Sequence, residues 1–387
     1  MKPFMKLYIP IALETLFMML AGMVDTIMLS TVGDSAVGAV GTANTYIGIF
    51  IIMFHVVSSG MIAVMTQYIG AKRIGVAYQA RQLGAVFNAV IGVALSVFLY
   101  VFSENILEIV GVAPLLMEYA KTYLKIVGGA CFLNALIPIF SSYLRAFGHT
   151  RQPLAATVAA NILNLCLNAV FLFVFRFGVA GVAAATVISR VVNLVLVMIF
   201  SKLLVKANED SERLKNKEVF AQIIKVGLPS AMETALYNVA MTLTIRYLNQ
   251  MDENGFNVTA RAYAAQIANF SYCAGAALAQ ANAIMTGWRI GEGDFEACDR
   301  GTKKAACIGI CIAAGLETAF VLCSGWLIRL FTDDVEMIAL VRTLLTIDIA
   351  LEVGRVTNLV FGQALKTSGD ALFTTVIGVI FMYLCMV

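Results

Sequence analysis

Of the 387 residues in this chain, 60% are hydrophobic and only 13% are charged; a soluble domain carries roughly 45–50% apolar and about 25% charged residues. That balance excludes a water-exposed globule, and the formal charge of +3 matters less than where the charges fall. Runs that match the roughly 20 mostly apolar residues of a transmembrane helix, without β alternation, point to a polytopic all-α membrane protein whose helices satisfy their own backbone groups in lipid.

Eleven spans are expected in chain order, near 7–30, 37–65, 83–102, 116–140, 153–175, 178–204, 220–248, 257–284, 303–330, 336–362 and 371–387. The first lacks a small-residue cleavage site and reads as a retained helix, not a signal peptide. It carries Glu14 and Asp25, eleven residues apart, which at about 100° per residue puts both within roughly 20° on one face. A charge at the bilayer centre costs on the order of 2.5–3.5 kcal/mol. Asp25, deep in Ala21–Met28, therefore either has a function or reaches water near the outer end, and Glu14 is open to both readings. His55 in the second span is a satisfied core histidine or a titrating switch.

The fifth span places Asn161, Asn164 and Asn168 at i, i+3 and i+7 on one face. Such a ladder serves as interhelical glue, at about 0.6–2 kcal/mol per bond, or joins Asp25 and a hydroxyl in an oxygen-rich cage for a hard cation. Thr186 in the sixth span offers that hydroxyl, among small residues that suit close helix packing. A polar stretch, 206–218, then reads as a cytoplasmic linker between an N-lobe over 1–205 and a C-lobe over 219–387. In the C-lobe, Glu233 occupies the place of Glu14. The tenth span carries Asp348, Glu352 and Arg355 at i, i+4 and i+7; Glu352 and Arg355 neutralise each other there, or the cluster takes up protons. The 24 Phe and 18 Met suit lipid, neighbouring helices and a cavity for varied apolar ligands.

The two halves repeat. Ile9-Pro10-Ile11-Ala12-Leu13-Glu14-Thr15 returns as Leu228-Pro229-Ser230-Ala231-Met232-Glu233-Thr234, displaced by 219 residues. Ile69-Gly70 returns as Ile290-Gly291, Ser103 as Ser324, and Leu144–His149 as Leu365–Asp370, all displaced by 221. An even number of spans per half makes the repeats parallel, the duplicated architecture of secondary transporters. The counterpart of the sixth span falls near 399–424, past Val387, so the expectation is about eleven helices of a twelve-helix plan.

With a cytoplasmic N-terminus, eighteen of the 27 Lys and Arg fall at inside ends and loops and five outside, with Arg190, Arg246, Arg261 and Arg355 at membrane depth. The positive-inside rule supports that orientation and accounts for the basic loops, so no nucleic-acid partner is expected. The eight cysteines show no CxxC pair and no histidine at metal spacing; they read as buried core cysteines, and no cofactor or structural metal is expected.

Val24-Asp25-Thr26-Ile27-Met28, Leu144-Arg145-Ala146-Phe147-Gly148-His149-Thr150, Ala183–Ser189, Leu228–Thr234 and Ala364–Asp370, in this order and spacing, resemble the multidrug and toxic compound extrusion (MATE) family over essentially the whole chain. The resemblance implies twelve helices in two six-helix lobes, a location in the cell membrane, and export of amphiphilic or cationic compounds in exchange for Na⁺ or H⁺ by a monomer. It implies that Asp25 is the first-helix carboxylate of an N-lobe cation site, with Asn164, Asn168 and Thr186 as neighbours. Some members carry an Asp in place of Asn168. Tyr237 holds the place of a helix-seven Glu, and the helix-ten carboxylate falls near Arg355, leaving Glu352 and Asp348 as substitutes. Two alternatives are a lipid-linked saccharide flippase of similar architecture, which wants a strongly basic cavity, and an intramembrane enzyme, for which no catalytic constellation is present.

Overall fold

Long apolar runs broken only by Gly, Pro and charged turns leave helix as the one regular structure available. The computed structural model describes residues 2–109, 111–205, 213–251 and 256–386. The first half contains α1 (Lys2–Ser30), α2 (Asp34–Gly70), α3 (Ile74–Val101), the short α4 (Ser103–Ile109), α5 (Pro114–Tyr123), α6 (Phe132–Ala146), α7 (Arg151–Ala169) and α8 (Gly178–Leu204). The second contains α9 (Asn216–Met251), α10 (Phe256–Glu292), α11 (Phe295–Leu322), the short α12 (Ser324–Leu327), α13 (Val335–Ser368) and α14 (Ala371–Met386). No strand occurs among the described residues. Each expected span overlaps one long helix or the α5–α6 pair. Six described helices are apolar and long enough to cross a bilayer, and the α5–α6 pair, bent by 43°, makes a seventh.

Helix α3 shows how the sequence meets its solvent. Val86, Val90, Val93 and Val97 are more than half exposed, whereas Gly84, Asn88, Gly92 and Ser96 are buried. The polar and small face looks inward, the reverse of a water-soluble helix. The inward groups are used at the neighbouring bend. Pro138 inside α6 has no N–H to give; Asn88 donates to the Ala135 carbonyl at 3.0 Å, and Ser96 Oγ accepts from the Phe132 amide at 2.9 Å. Gly92 lets the chain in, since a Cβ there would meet Phe132 at 2.9 Å. The counterpart of Pro138 is Leu359, and α13 runs unbroken for 34 residues.

The repeat is visible in backbone detail. Gly148 and Gly369 both take a left-handed φ, +82° and +99°, and after each the next amide reaches back to the helix, His149 to the Leu144 carbonyl (2.9 Å) and Asp370 to that of Leu365 (3.1 Å). Lys72 and Gly293 correspond likewise, at φ +61° and +80°, followed by Arg73 bonding to Tyr68 (2.8 Å) and Asp294 to Arg289 (2.9 Å). Ser103 and Ser324, both buried, each open a short helix, α4 and α12.

Contacts group the chain into two compact units, Leu13–Leu228 and Met1–Ala12 with Pro229–Val387. The divisions fall inside α1 and α9, beside the repeated prolines. In the N-terminal unit the opening turns of α9 therefore pack with α2: a Cβ on Gly60 would strike the Ile223 carbonyl, and one on Gly227 the Val56 carbonyl. Backbone this close admits only glycine. Within the polar stretch 206–218, residues 206–212 lie outside the described part. Gln79, buried on α3, receives the Leu214 amide at 3.1 Å and donates to the Leu214 carbonyl at 2.7 Å. The described cysteines are free, but of these only Cys131 is buried; Cys166, Cys307, Cys311 and Cys323 are exposed. The expectation of core cysteines is corrected: sulfur is apolar enough to face acyl chains, and composition alone does not separate lipid from protein interior.

Candidate cation-coupling sites

In the N-terminal unit α1 is fastened to α7 by polar side chains at three levels. Thr157 donates to Glu14 (3.3 Å), Asn161 to the Phe17 carbonyl (3.2 Å) and Asn168 to Asp25 Oδ1 (2.8 Å). The asparagine ladder thus divides its labour. Asn161 is glue on a backbone oxygen, while Asn168, fully buried, bridges Asp25 and Asn164 Oδ1 (3.1 Å).

Asp25 itself is half-buried. Beside α7, groups from α8, α5 and α2 extend the polar cluster. Thr186 on α8 gives its proton to the Val182 carbonyl at 2.9 Å, which leaves its oxygen as an acceptor beside the buried Tyr123 hydroxyl, and Asn44 of α2 also bonds Tyr123. Arg190, one turn beyond Thr186, acts electrostatically on Asp25, Tyr123 and Cys131. Its Nη1 is buried without a hydrogen bond, as is Asn168 Oδ1. No group of three His, Cys, Asp or Glu disposed to hold a metal ion occurs among the described residues. A cation here would meet one carboxylate and neutral amide and hydroxyl oxygens, a set suited to a hard monovalent ion or a proton.

Glu14 and Glu233, also singled out from the sequence, do a matching job elsewhere. Arg145 pairs with Glu14 at 2.7 Å and Lys366 with Glu233 at 2.9 Å; Thr157 and Thr375 each donate to the same glutamate at 3.3 Å. Each acid, one turn past its proline, ties the first helix of a repeat to the fourth and fifth.

The remaining C-lobe residues come together without Glu233. Asp348, Glu352 and Arg355 line one stripe of α13, with Glu352 fully buried and hydrogen-bonded to Arg355. The Arg355 guanidinium lies 5.8 Å from the Tyr272 ring centroid, and Tyr237 is within electrostatic reach of Tyr272. Glu317 of α11 joins this group. The side chain of His55 lies outside the described residues.

The MatE family model matches the chain twice, over residues 10–170 and 229–387. The chain belongs to the MatE family. The two matches begin on Pro10 and Pro229, in the register of the internal repeat. The chain is 31% identical over 380 residues to the uncharacterized transporter YisQ of Bacillus subtilis (strain 168), covering 97% of this chain and 83% of that protein. The probable multidrug resistance protein YoeA of the same organism is 23% identical over 374 residues, 90% of this chain and 79% of the relative. A crystal structure of MATE in the straight conformation superposes with a TM-score of 0.90 at 20% identity, over 99% of this chain and 86% of that one. This MatE chain is therefore an integral membrane transporter with the two-repeat all-α fold, and not an enzyme.

In this MatE chain, Arg190, Tyr123, Asn44 and Glu317 are site residues that the sequence reading did not single out. The cost argument that singles out Asp25 applies equally to Glu317, a lone acid in the apolar run Ala313–Phe320. Arg190 stood out as a charge at membrane depth, but its closeness to Asp25 depends on how α1 and α8 meet, which no periodicity reports.

Proposed function

We propose that this MatE chain exchanges a monovalent cation, Na⁺ or H⁺, for amphiphilic or cationic small molecules and exports them across the cell membrane as a monomer with a cytoplasmic N-terminus. The observation that carries the reading is the 2.8 Å contact between Asn168 and Asp25. An amide is a ligand that can turn: with Asp25 empty it offers its nitrogen, and with a cation on Asp25 it can present the oxygen that has no partner. Ion occupancy and vacancy then favour different seatings of α1 on α7, and a ligand biases such an equilibrium only through unequal affinity for the two states. The multidrug resistance name of the relative YoeA supports the substrate class, and the excess of Lys and Arg at inside ends supports the orientation.

The test is export of a fluorescent lipophilic cation from proteoliposomes, with Na⁺ and pH gradients imposed separately. Asp25→Asn is expected to lower gradient-driven export at least about tenfold, the equivalent of roughly 1.4 kcal/mol, with an unchanged size-exclusion profile. Export that stays at the wild-type rate under both gradients rejects Asp25 as the coupling group.

A further inference from the structure

Helices α10, α11 and α13 close on one another through small residues. A Cβ on Gly275 or on Gly309 would run into Val356, so these three positions share one level of the junction. One turn further, in the direction set by antiparallel packing of α11, come Ser271, Ala313 and Glu352; a second turn brings Glu317 opposite Asp348. Ser271 is 1% exposed and Glu317 and Glu352 are 0% exposed. Ser271 stands within hydrogen-bonding reach of the Glu317 carboxyl, no basic side chain among the described residues bonds either Glu317 oxygen, and Glu352 Oε2 has no hydrogen-bond partner there. Two arginines face the three acids. Arg355 is engaged with Glu352, and Arg261, which acts on Asp348, also reaches Met241 Sδ at 3.0 Å. Tyr272 and Tyr237 complete the polar groups around the junction.

Three carboxylates against two guanidinium groups leave one negative charge over, and Glu317, which forms no ion pair among the described residues, is fully buried. Burying an uncompensated charge costs several kcal/mol, so the site takes up one monovalent cation. We propose that Glu317 on α11 is a proton-carrying residue of this transporter and shares an exchangeable proton with Glu352. The inference rests on the cation-coupled reading above and names a second place where the coupling ion is held. A proton suits the geometry better than a metal ion. Glu352 Oε2 wants a donor, a carboxyl O–H on Glu317 supplies one while Ser271 donates to the other Glu317 oxygen, and the described residues hold no trio of ligands around a common metal position.

The experiment is proton release from the purified full-length protein in weakly buffered detergent solution, read with a pH-sensitive dye on adding saturating tetraphenylphosphonium. Glu317→Gln is expected to release about one proton fewer per chain than wild type, and Glu317→Asp to recover it. Equal release from Glu317→Gln and wild type overturns the assignment. Should Glu317→Gln aggregate, infrared difference spectra of the wild type decide: a protonated-carboxyl carbonyl band that bleaches on substrate addition supports the proposal, and its absence overturns it. The two readings fail separately. Export driven by Na⁺ alone, with no proton release from wild type, removes the Glu317 proposal and leaves coupling intact, whereas export indifferent to both gradients removes coupling itself.

Discussion

Arg190 gives the N-terminal site a cation of its own. Its guanidinium stands within electrostatic reach of Asp25 with one nitrogen unbonded, so it competes with any ion that approaches the carboxylate. Replacing it with an apolar side chain of similar length removes the competitor: Arg190→Met is expected to tighten the apparent affinity for the coupling cation by about tenfold, or roughly 1.4 kcal/mol, in the Na⁺ or H⁺ dependence of export. An unchanged ion dependence together with a lower melting temperature would mark Arg190 as a structural partner only. Asp25, Asn164 and Asn168 were legible in the sequence because an acid and a run of amides are expensive in hydrocarbon and fall on faces that helical periodicity computes. Glu317 was legible by the same rule and overlooked, because its partners Glu352 and Ser271 belong to other helices and a search along one stripe never joins them. Glu233 and Asp348 show the opposite: sequence places both in the C-terminal half, but the fold gives Glu233 to Lys366.

Among the elements, the two connectors after α2 and α10 make a controlled comparison inside one molecule. The same left-handed position is held by Lys72 in one and Gly293 in the other. A non-glycine residue pays roughly 1–2 kcal/mol for that conformation, partly offset because glycine is freer in the unfolded chain. Lys72→Gly is therefore expected to stabilise the protein by about 0.5–1 kcal/mol, a rise of about 1–2 °C in detergent melting; a fall would show that the lysine side chain makes a contact worth more than the strain. Gly60→Ala should act the other way, by about 1–3 kcal/mol, because a methyl group there meets the Ile223 carbonyl of α9. Hydropathy located the spans and the repeat gave their pairing. The bend between α5 and α6 was not legible: it falls between Gly128 and Phe132, where no proline stands, and its support comes from Ser96 of α3, which accepts from the Phe132 amide.

At the scale of the whole molecule, repeat and packing unit are not the same thing. The sequence divides in a polar stretch, whereas contacts divide within α1 and α9, so each unit incorporates the opening of the other repeat's first helix. The outer surface is equally instructive. Cys166, Cys307 and Cys311 are exposed on apolar helices and Cys131 is buried, so in native membranes a lipid-soluble maleimide should label the first three and spare Cys131, by mass spectrometry of digests. A charged, impermeant maleimide should miss all four. Strong labelling of Cys131 would mean that the core around α5 and α6 opens readily.

A tolerance scan across α3 should accordingly invert the pattern familiar from enzymes in water. Swapping Val90 for leucine or phenylalanine would pass unnoticed among acyl chains, while Asn88→Leu, which any hydrophobicity scale scores as an improvement for a membrane span, would delete the bond that ties α3 to the Ala135 carbonyl of α6. Engineers wishing to make this protein more robust have most freedom on its greasiest stripe and least on its smallest, most hydrophilic one.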